Sequence, residues 1–252
     1  MNVFKLKDGL GNQLFQYGAS KMLEKRHGPI AYDISFYQSD YNLQGQEFNT
    51  RDFLLPYFVD DIQITDIGDR PCVVEWLYDP DKEYDNVYFF GDWQKVSYFK
   101  DLELNIRLKD KYITDEMKAI AKELKSCNSV AVHVRRTDYG VFKWYLDYSY
   151  YHKAERYILS EVKDPVFYVF ADDIDYAKMY PPVSSKRRYV HTDQIGDFWL
   201  MSQCKHQIIA NSTYSFWAGY LNENPNKLVV YPLEWIIGLR PINCELPRFK
   251  GV

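Results

Sequence analysis

The sequence lacks the features that mark several large classes of protein. Its four cysteines, Cys72, Cys127, Cys204 and Cys244, lie far apart and form no C-x-x-C pair. That disfavours a structural zinc site and a dense disulfide framework, and fits reduced thiols in a cytoplasmic protein. No apolar run approaches the roughly 20 residues of a membrane span, so at most peripheral membrane contact is expected. The opening residues 1–8 hold neither a long hydrophobic stretch nor a small-residue cleavage site, so no secretory signal is expected, and the Asn211-Ser212-Thr213 sequon carries no meaning for glycosylation. Positive charge is not in excess: the formal net charge of -4 argues against a nucleic-acid partner or a polybasic membrane anchor. Internal repeats and low-complexity tails are missing. So are a cysteine-nucleophile motif and an assembled metal cluster, which disfavours a phosphatase or nuclease.

What is present is an ordinary globular chain. Its 252 residues, 46% hydrophobic and 26% charged, suffice for one large α/β domain or two smaller ones. Its 23 tyrosines could serve sugar binding, a core or an interface, so composition alone does not choose among these.

The hydrophobic pattern predicts a strand at Val3–Leu6, a glycine-rich loop, a helix ending near His27-Gly28-Pro29, and a second strand at Ile30–Ile34. Between Ser35 and Asn128 the pattern is hard to parse, with one plausible strand near Val87–Phe90 and a helix at Asp115–Leu124. From Ser129 strands alternate with helices: Ser129–Val134, Val166–Phe170, Arg188–His191, Gln207–Ala210 and a closing strand at Leu228–Tyr231. Such alternation implies α/β architecture, with parallel sheets covered on both faces. Units of this kind at both ends suggest two Rossmann-like domains facing a cleft. The division is expected between Leu124 and Ser129, giving domains 1–126 and 127–252.

Four loops could carry chemistry. Gly9-Leu10-Gly11-Asn12-Gln13 lies between a strand and a helix, where glycines let backbone N–H groups approach a ligand. It fails as a dinucleotide fingerprint for want of a third glycine; a plain tight turn is the competing reading. His133-Val134-Arg135-Arg136-Thr137-Asp138 emerges where an apolar strand ends, the usual place for ligands in open α/β sheets. A guanidinium there can grip two phosphate oxygens at once, though a surface ion-pair cluster reads the same way. Asp172-Asp173-Ile174-Asp175 could hold a divalent cation, meet a nucleobase edge, or cap a helix. Asn211-Ser212-Thr213-Tyr214-Ser215 places small hydrogen-bonding residues at a helix start, suited to an anion or to plain capping.

Taken together these blocks resemble the galactoside α-1,2-fucosyltransferases, glycosyltransferase family 11. The resemblance rests on Gly9–Tyr17, Val132–Tyr139, Val169–Asp173, and Leu200–His206 running into Ile209–Trp217. One departure is Thr137, where the family usually has glycine; His-Val-Arg-Arg-Thr-Asp is instead carried by the α-1,6-fucosyltransferases. The resemblance implies the GT-B architecture, GDP-fucose as donor, an oligosaccharide or lipid-linked glycan as acceptor, and inverting transfer without a metal or other cofactor. It implies Arg135 as the phosphate clamp beside Ser212, Thr213 and Ser215, with Arg136 and Asn211 nearby. His133 and Asp173, with Asp172, are expected to meet guanine. Asn12, with Gly9, Gly11 and Gln13, is expected to reach the phosphate or fucose. Asp138 is expected either to act as general base or to hold an arginine in place. The competing functions are another GDP-sugar transferase of this fold and a non-catalytic sugar-nucleotide or glycan-binding module.

Overall fold

In a computed structural model, the described residues are 1–38, 51–136, 139–140, 144–179, 183, 186–235, 244 and 246–252. The chain divides into two compact units, Met1–Lys109 and Asp110–Val252.

The first unit holds strand β1 (Asn2–Lys5), helix α1 (Leu10–His27), β2 (Ile30–Asp33), a one-turn α2 (Ser35–Gln38), β3 (Cys72–Val74) and β4 (Tyr88–Phe90). All four strands are parallel, in the order β2-β1-β4-β3. Helix α1 buries Leu10, Leu14, Phe15, Tyr17 and Ala19. It lies so close to Phe99 that a Cβ on Gly18 would fall 2.8 Å from the ring. It stops where the Gly-Pro pair predicts, at Gly28 with a φ of +81°. Strand β3 did not stand out in the sequence because it is half-exposed at the sheet edge.

The second unit begins with helix α3 (Asp115–Ser126) and continues with β5 (Asn128–Val134), α4 (Tyr148–Glu161), β6 (Pro165–Ala171), α5 (Ile174–Lys178) and β7 (Arg187–Val190). Then come α6 (Gln194–Gln203), β8 (His206–Ile208), α7 (Thr213–Tyr220), β9 (Val229–Tyr231) and β10 (Phe249–Gly251). Helix α3 lies on the second-unit side of the division, whereas the sequence pattern put the break after it. Its buried stripe, Met117, Ala121 and Leu124, packs toward α6 and β5. Leu228–Tyr231 is not the closing strand: β10 adds itself beside β9, Phe249 in register with Val229.

The sheet order is β10-β9-β8-β5-β6-β7, all parallel. From β5 the chain steps outward through β6 and β7, then returns to β8 on the other side of β5. Right-handed crossovers put the connections of the two halves on opposite faces, so the order reverses between β5 and β8. Strand alternation sorts the side chains. Val130, Val132 and Val134 of β5 and Phe167, Val169 and Ala171 of β6 form one core with Tyr150, Ala154 and Ile158 of α4. On the opposite face Tyr168 reaches Glu123 of α3, and His133 reaches Tyr214 of α7. No described helix is long and apolar enough to cross a membrane.

Candidate active site

In a doubly wound sheet, ligands bind beyond the strand carboxyl ends where the order reverses. In the second unit that point is flanked by residues 133–136, at and just past the end of β5, and 209–212 after β8. His133, on the α7 side of β5, is 4% exposed, with its ring 5.5 Å from that of Tyr214. Burial, opposed by the Asp172 carboxylate and reinforced by Arg135, pushes its imidazole down to about 4. It is therefore neutral at pH 7, and its buried Nδ1 has no protein partner. Arg135 follows with the same parity. Its Nη1 lies 3.2 Å from Asp172 Oδ2, and its guanidinium carbon 5.5 Å from the Tyr139 ring centre. The other Asp172 oxygen accepts the Arg136 backbone N–H at 2.8 Å. One carboxylate thus fixes both the direction of Arg135 and the backbone that carries it.

Arg136 has the opposite parity and a different environment. Its guanidinium is stacked between Tyr145 and Tyr176, 3.9 and 4.3 Å from the ring centres, with a buried, unpartnered Nη1. Asp173 caps α5 by accepting the Tyr176 N–H at 2.9 Å, and Asp175 pairs with Lys178 at 3.1 Å. The three carboxylates of that loop therefore point to three different tasks. Among the described residues no group of three or more His, Cys, Asp or Glu is placed to hold a metal ion. Thr137 and Asp138, the candidate general base, lie outside the described residues.

Asn211 is 1% exposed and donates its amide to the carbonyls of Trp144, at 2.8 Å, and Trp235, at 2.5 Å. Its own carbonyl accepts the Tyr139 hydroxyl at 3.1 Å, so it ties three segments together at the rim. Its side-chain oxygen is buried without a partner. Ser212 starts α7 without capping it through its hydroxyl, Thr213 begins the first turn, and Ser215 bonds back to the Ser212 carbonyl at 3.3 Å. Two residues that the sequence did not single out brace this rim from below. The Tyr151 hydroxyl donates to the His133 carbonyl at 3.1 Å, and the Tyr150 hydroxyl lies 2.6 Å from the Ile209 carbonyl and 3.2 Å from that of Val230. Both belong to the first turn of α4, and an aromatic pair at a helix start was the only signal.

The first unit has its own reversal point, between β1 and β4. Gly9 precedes α1 in an extended conformation and Gly11 is buried in its first turn. Asn12 donates to Asp8 at 3.4 Å and accepts from Gln94, in the loop after β4, at 3.0 Å. Gln94 is a second polar group at this rim that the sequence did not single out. Lys7 and Asp92 join the same two loops at 2.6 Å. Gln13 is fully buried and fully employed: it donates to the carbonyls of Asp8 and Asp52 and accepts the N–H groups of Leu54 and Leu55, all within 3.0 Å. It shapes the loop from behind.

The helix starts follow a pattern. Helices α3, α4, α5 and α6 are capped by side chains of Thr114, Asp147, Asp173 and Asp193. Helices α1 and α7, which follow the two candidate loops, have no side-chain cap and no acidic residue in the first turn. Their first-turn N–H groups and partial positive charge remain suited to an anion. In the second unit, Arg135, an uncapped helix and a neutral buried histidine can together hold a phosphate group attached to a flat heterocycle.

Comparison with known proteins gives a family and a fold. The model for the family described as Glycosyl transferase family 11 matches residues 1–233. An alpha-1,2-colitosyltransferase of Escherichia coli is 29% identical over 92% of this chain and 91% of its own length. A galactoside alpha-(1,2)-fucosyltransferase 1 of Rattus norvegicus is 33% identical over 49% of this chain and 37% of its own. Among solved structures, the NodZ alpha-1,6-fucosyltransferase from Bradyrhizobium, soaked with GDP-fucose, superposes with a TM-score of 0.54 at 14% identity. That match covers 86% of this chain and 91% of the other. The likeness is one of fold, the α/β GT-B architecture expected from the sequence.

Proposed function

The chain belongs to glycosyl transferase family 11, and on that footing we propose that it moves L-fucose from GDP-β-L-fucose to a galactoside hydroxyl in α-1,2 linkage, inverting the anomeric centre. The observation that carries this reading is Arg135, braced by Asp172 at the β5/β8 reversal beside His133 and the open start of α7.

As the glycosyl–phosphate bond breaks, the electron pair leaves with GDP and positive charge grows on the sugar ring. Donors fixed in advance and aimed at the departing oxygens lower the barrier because they need no reorganisation. Arg135, the Ser212 and Thr213 groups and the α7 N–H groups supply them, so the proposed reaction needs no metal and no cofactor. His133, held neutral by burial, has one ring nitrogen to donate and one to accept, which suits the edge of guanine. Asn12, at the uncapped start of α1, is proposed to serve the phosphate or fucose. Arg136 is proposed to support this rim through its stack on Tyr145 and Tyr176.

The acceptor is proposed to be an oligosaccharide or a lipid-linked glycan ending in galactose. The relative that acts on colitose, a sugar without the 3-hydroxyl of fucose, makes GDP-colitose the competing donor. Incubation with lactose and, in turn, GDP-fucose, GDP-colitose and GDP-mannose, followed by NMR of the product, tests the reading. It predicts fastest GDP release from GDP-fucose and an α-1,2 bond; a preference for another donor or another linkage overturns it.

A further inference from the structure

We infer that Trp76 and Leu77 form a stacking platform for the acceptor sugar, a subsite in the first unit that rests on the transferase reading above. Strand β3 ends at Val74 and runs into a single tight turn, Glu75–Leu77. Trp76 is 76% exposed and Leu77 69%, whereas Phe89 and Trp93 close by in the same unit are fully buried. An indole left in water at the rim of a sheet sacrifices the largest apolar side chain available to a core.

The turn is held in place. Glu75 Oε2 accepts the Trp93 backbone N–H at 2.6 Å, and Oε1 accepts the Tyr98 hydroxyl at 3.2 Å. Gly91 makes room for this arrangement: its φ is +158°, and a Cβ there would fall 2.6 Å from the Glu75 Cβ. The backbone that carries the exposed ring is therefore fixed, so a ligand that stacks on it does not have to order the turn as well.

Its position decides the occupant. The four strands are parallel, so the turn after β3, the Gly91–Gln94 loop after β4 and the Gly9–Asn12 loop after β1 share one edge of the sheet. Polar contacts connect them in sequence, Glu75 to Trp93 and Gln94 to Asn12. Trp76 thus stands on the rim that carries Asn12. A galactoside offers an apolar C–H face to an aromatic ring and hydroxyls to neighbouring polar groups. The chain beyond the turn is acidic, with Asp79, Asp81, Glu83 and Asp85 against Lys82. That charge repels an anionic bilayer or a nucleic acid and is indifferent to a neutral sugar.

The test compares the wild type with Trp76→Ala and Trp76→Phe. Titration with methyl β-D-galactopyranoside should change the intrinsic fluorescence of the wild type saturably; W76A should not respond, and W76F should bind nearly as well by calorimetry. With lactose as acceptor, W76A should raise KM roughly tenfold while kcat and the KM for GDP-fucose stay within about twofold. An equal response in W76A, no response in the wild type, or an unchanged acceptor KM overturns the platform. So does a wild-type dimer that W76A turns into monomer, because the ring then serves a second copy of the chain. GDP release from GDP-fucose in the presence of lactose is measured in parallel on the wild type. Its absence overturns the transferase reading, while the galactoside titration still decides the platform.

Discussion

The guanidinium of Arg135 lies 3.2 Å from the carboxylate of Asp172, at the mouth of the reversal between β5 and β8. Both side chains are partly shielded, 22% and 16% exposed, so the pair is neither a surface ornament nor a sealed interior bridge. The carboxylate holds the planar fork in one orientation, at the strand end where the departing phosphate is proposed to bind.

Replacing Arg135 tests this directly. Arg135→Ala should lower kcat about a hundredfold or more, roughly 3 kcal/mol of transition-state stabilisation, with unfolding nearly unchanged. Arg135→Lys keeps the charge but not the fork and should recover only part of the loss. Steady-state kinetics on GDP-fucose decide it, and near-normal turnover in the alanine variant removes Arg135 from the mechanism.

The two tyrosines below the rim should matter for both stability and rate. Tyr150→Phe and Tyr151→Phe each delete one buried hydroxyl that bonds to a strand-end carbonyl. Each should cost about 1–2 kcal/mol in urea unfolding. Turnover should fall as well, since the carbonyls concerned belong to His133 and Ile209. A loss of stability with turnover intact would confine them to scaffolding.

Acid should weaken the fold through His133. Its folded value of about 4 lies below the ordinary 6.5, so the unfolded chain takes up the proton first as pH falls. The contribution is complete above pH 6.5 and fades between 6.5 and 4, by up to about 3 kcal/mol. His133→Gln should flatten the pH dependence of urea unfolding in that window, and an unchanged slope would exclude His133 as the source.

Glu155 and Arg187 form an ion pair with side chains 1% and 8% exposed, and Glu155 also accepts the Val183 N–H at 3.0 Å. Glu155→Leu should cost about 3 kcal/mol or more by stranding a buried guanidinium. Adding Arg187→Leu should restore part of it. A double-mutant cycle in urea reads the coupling, and strictly additive effects would deny it.

Turnover should persist in EDTA, within about twofold, because the charge on the departing diphosphate is met by fixed donors. Loss in chelator with recovery on manganese would contradict the metal-free route.

Much of the second unit could be read from the chain because its central strands are buried on both faces. Such strands appear as apolar runs, and the polar residues that interrupt them, His133 to Arg136 and Asn211 to Ser215, mark the strand ends. The first unit was harder. Strand β3 has three half-exposed or exposed residues at an edge, and β10 is Phe249-Lys250-Gly251, a sequence with no periodic signature that exists through pairing with β9. The site residues could be named but their employment could not. Gln13 turned out to hold a loop by four hydrogen bonds. Side chains alternate along β5, which sets His133 opposite Val132 and Val134, but the different surroundings of Arg135 and Arg136, just past the strand end, are visible only in the structure.

That alternation makes the strand a reading frame. One residue inserted between Asn128 and His133 would turn every later side chain of the strand to the other face, taking His133 away from Tyr214 and displacing Arg135 from Asp172. Substitutions inside β5 can drift with core volume, but its length cannot. A lineage that keeps this chemistry is therefore expected to place its insertions and deletions outside that segment, however far its sequence diverges.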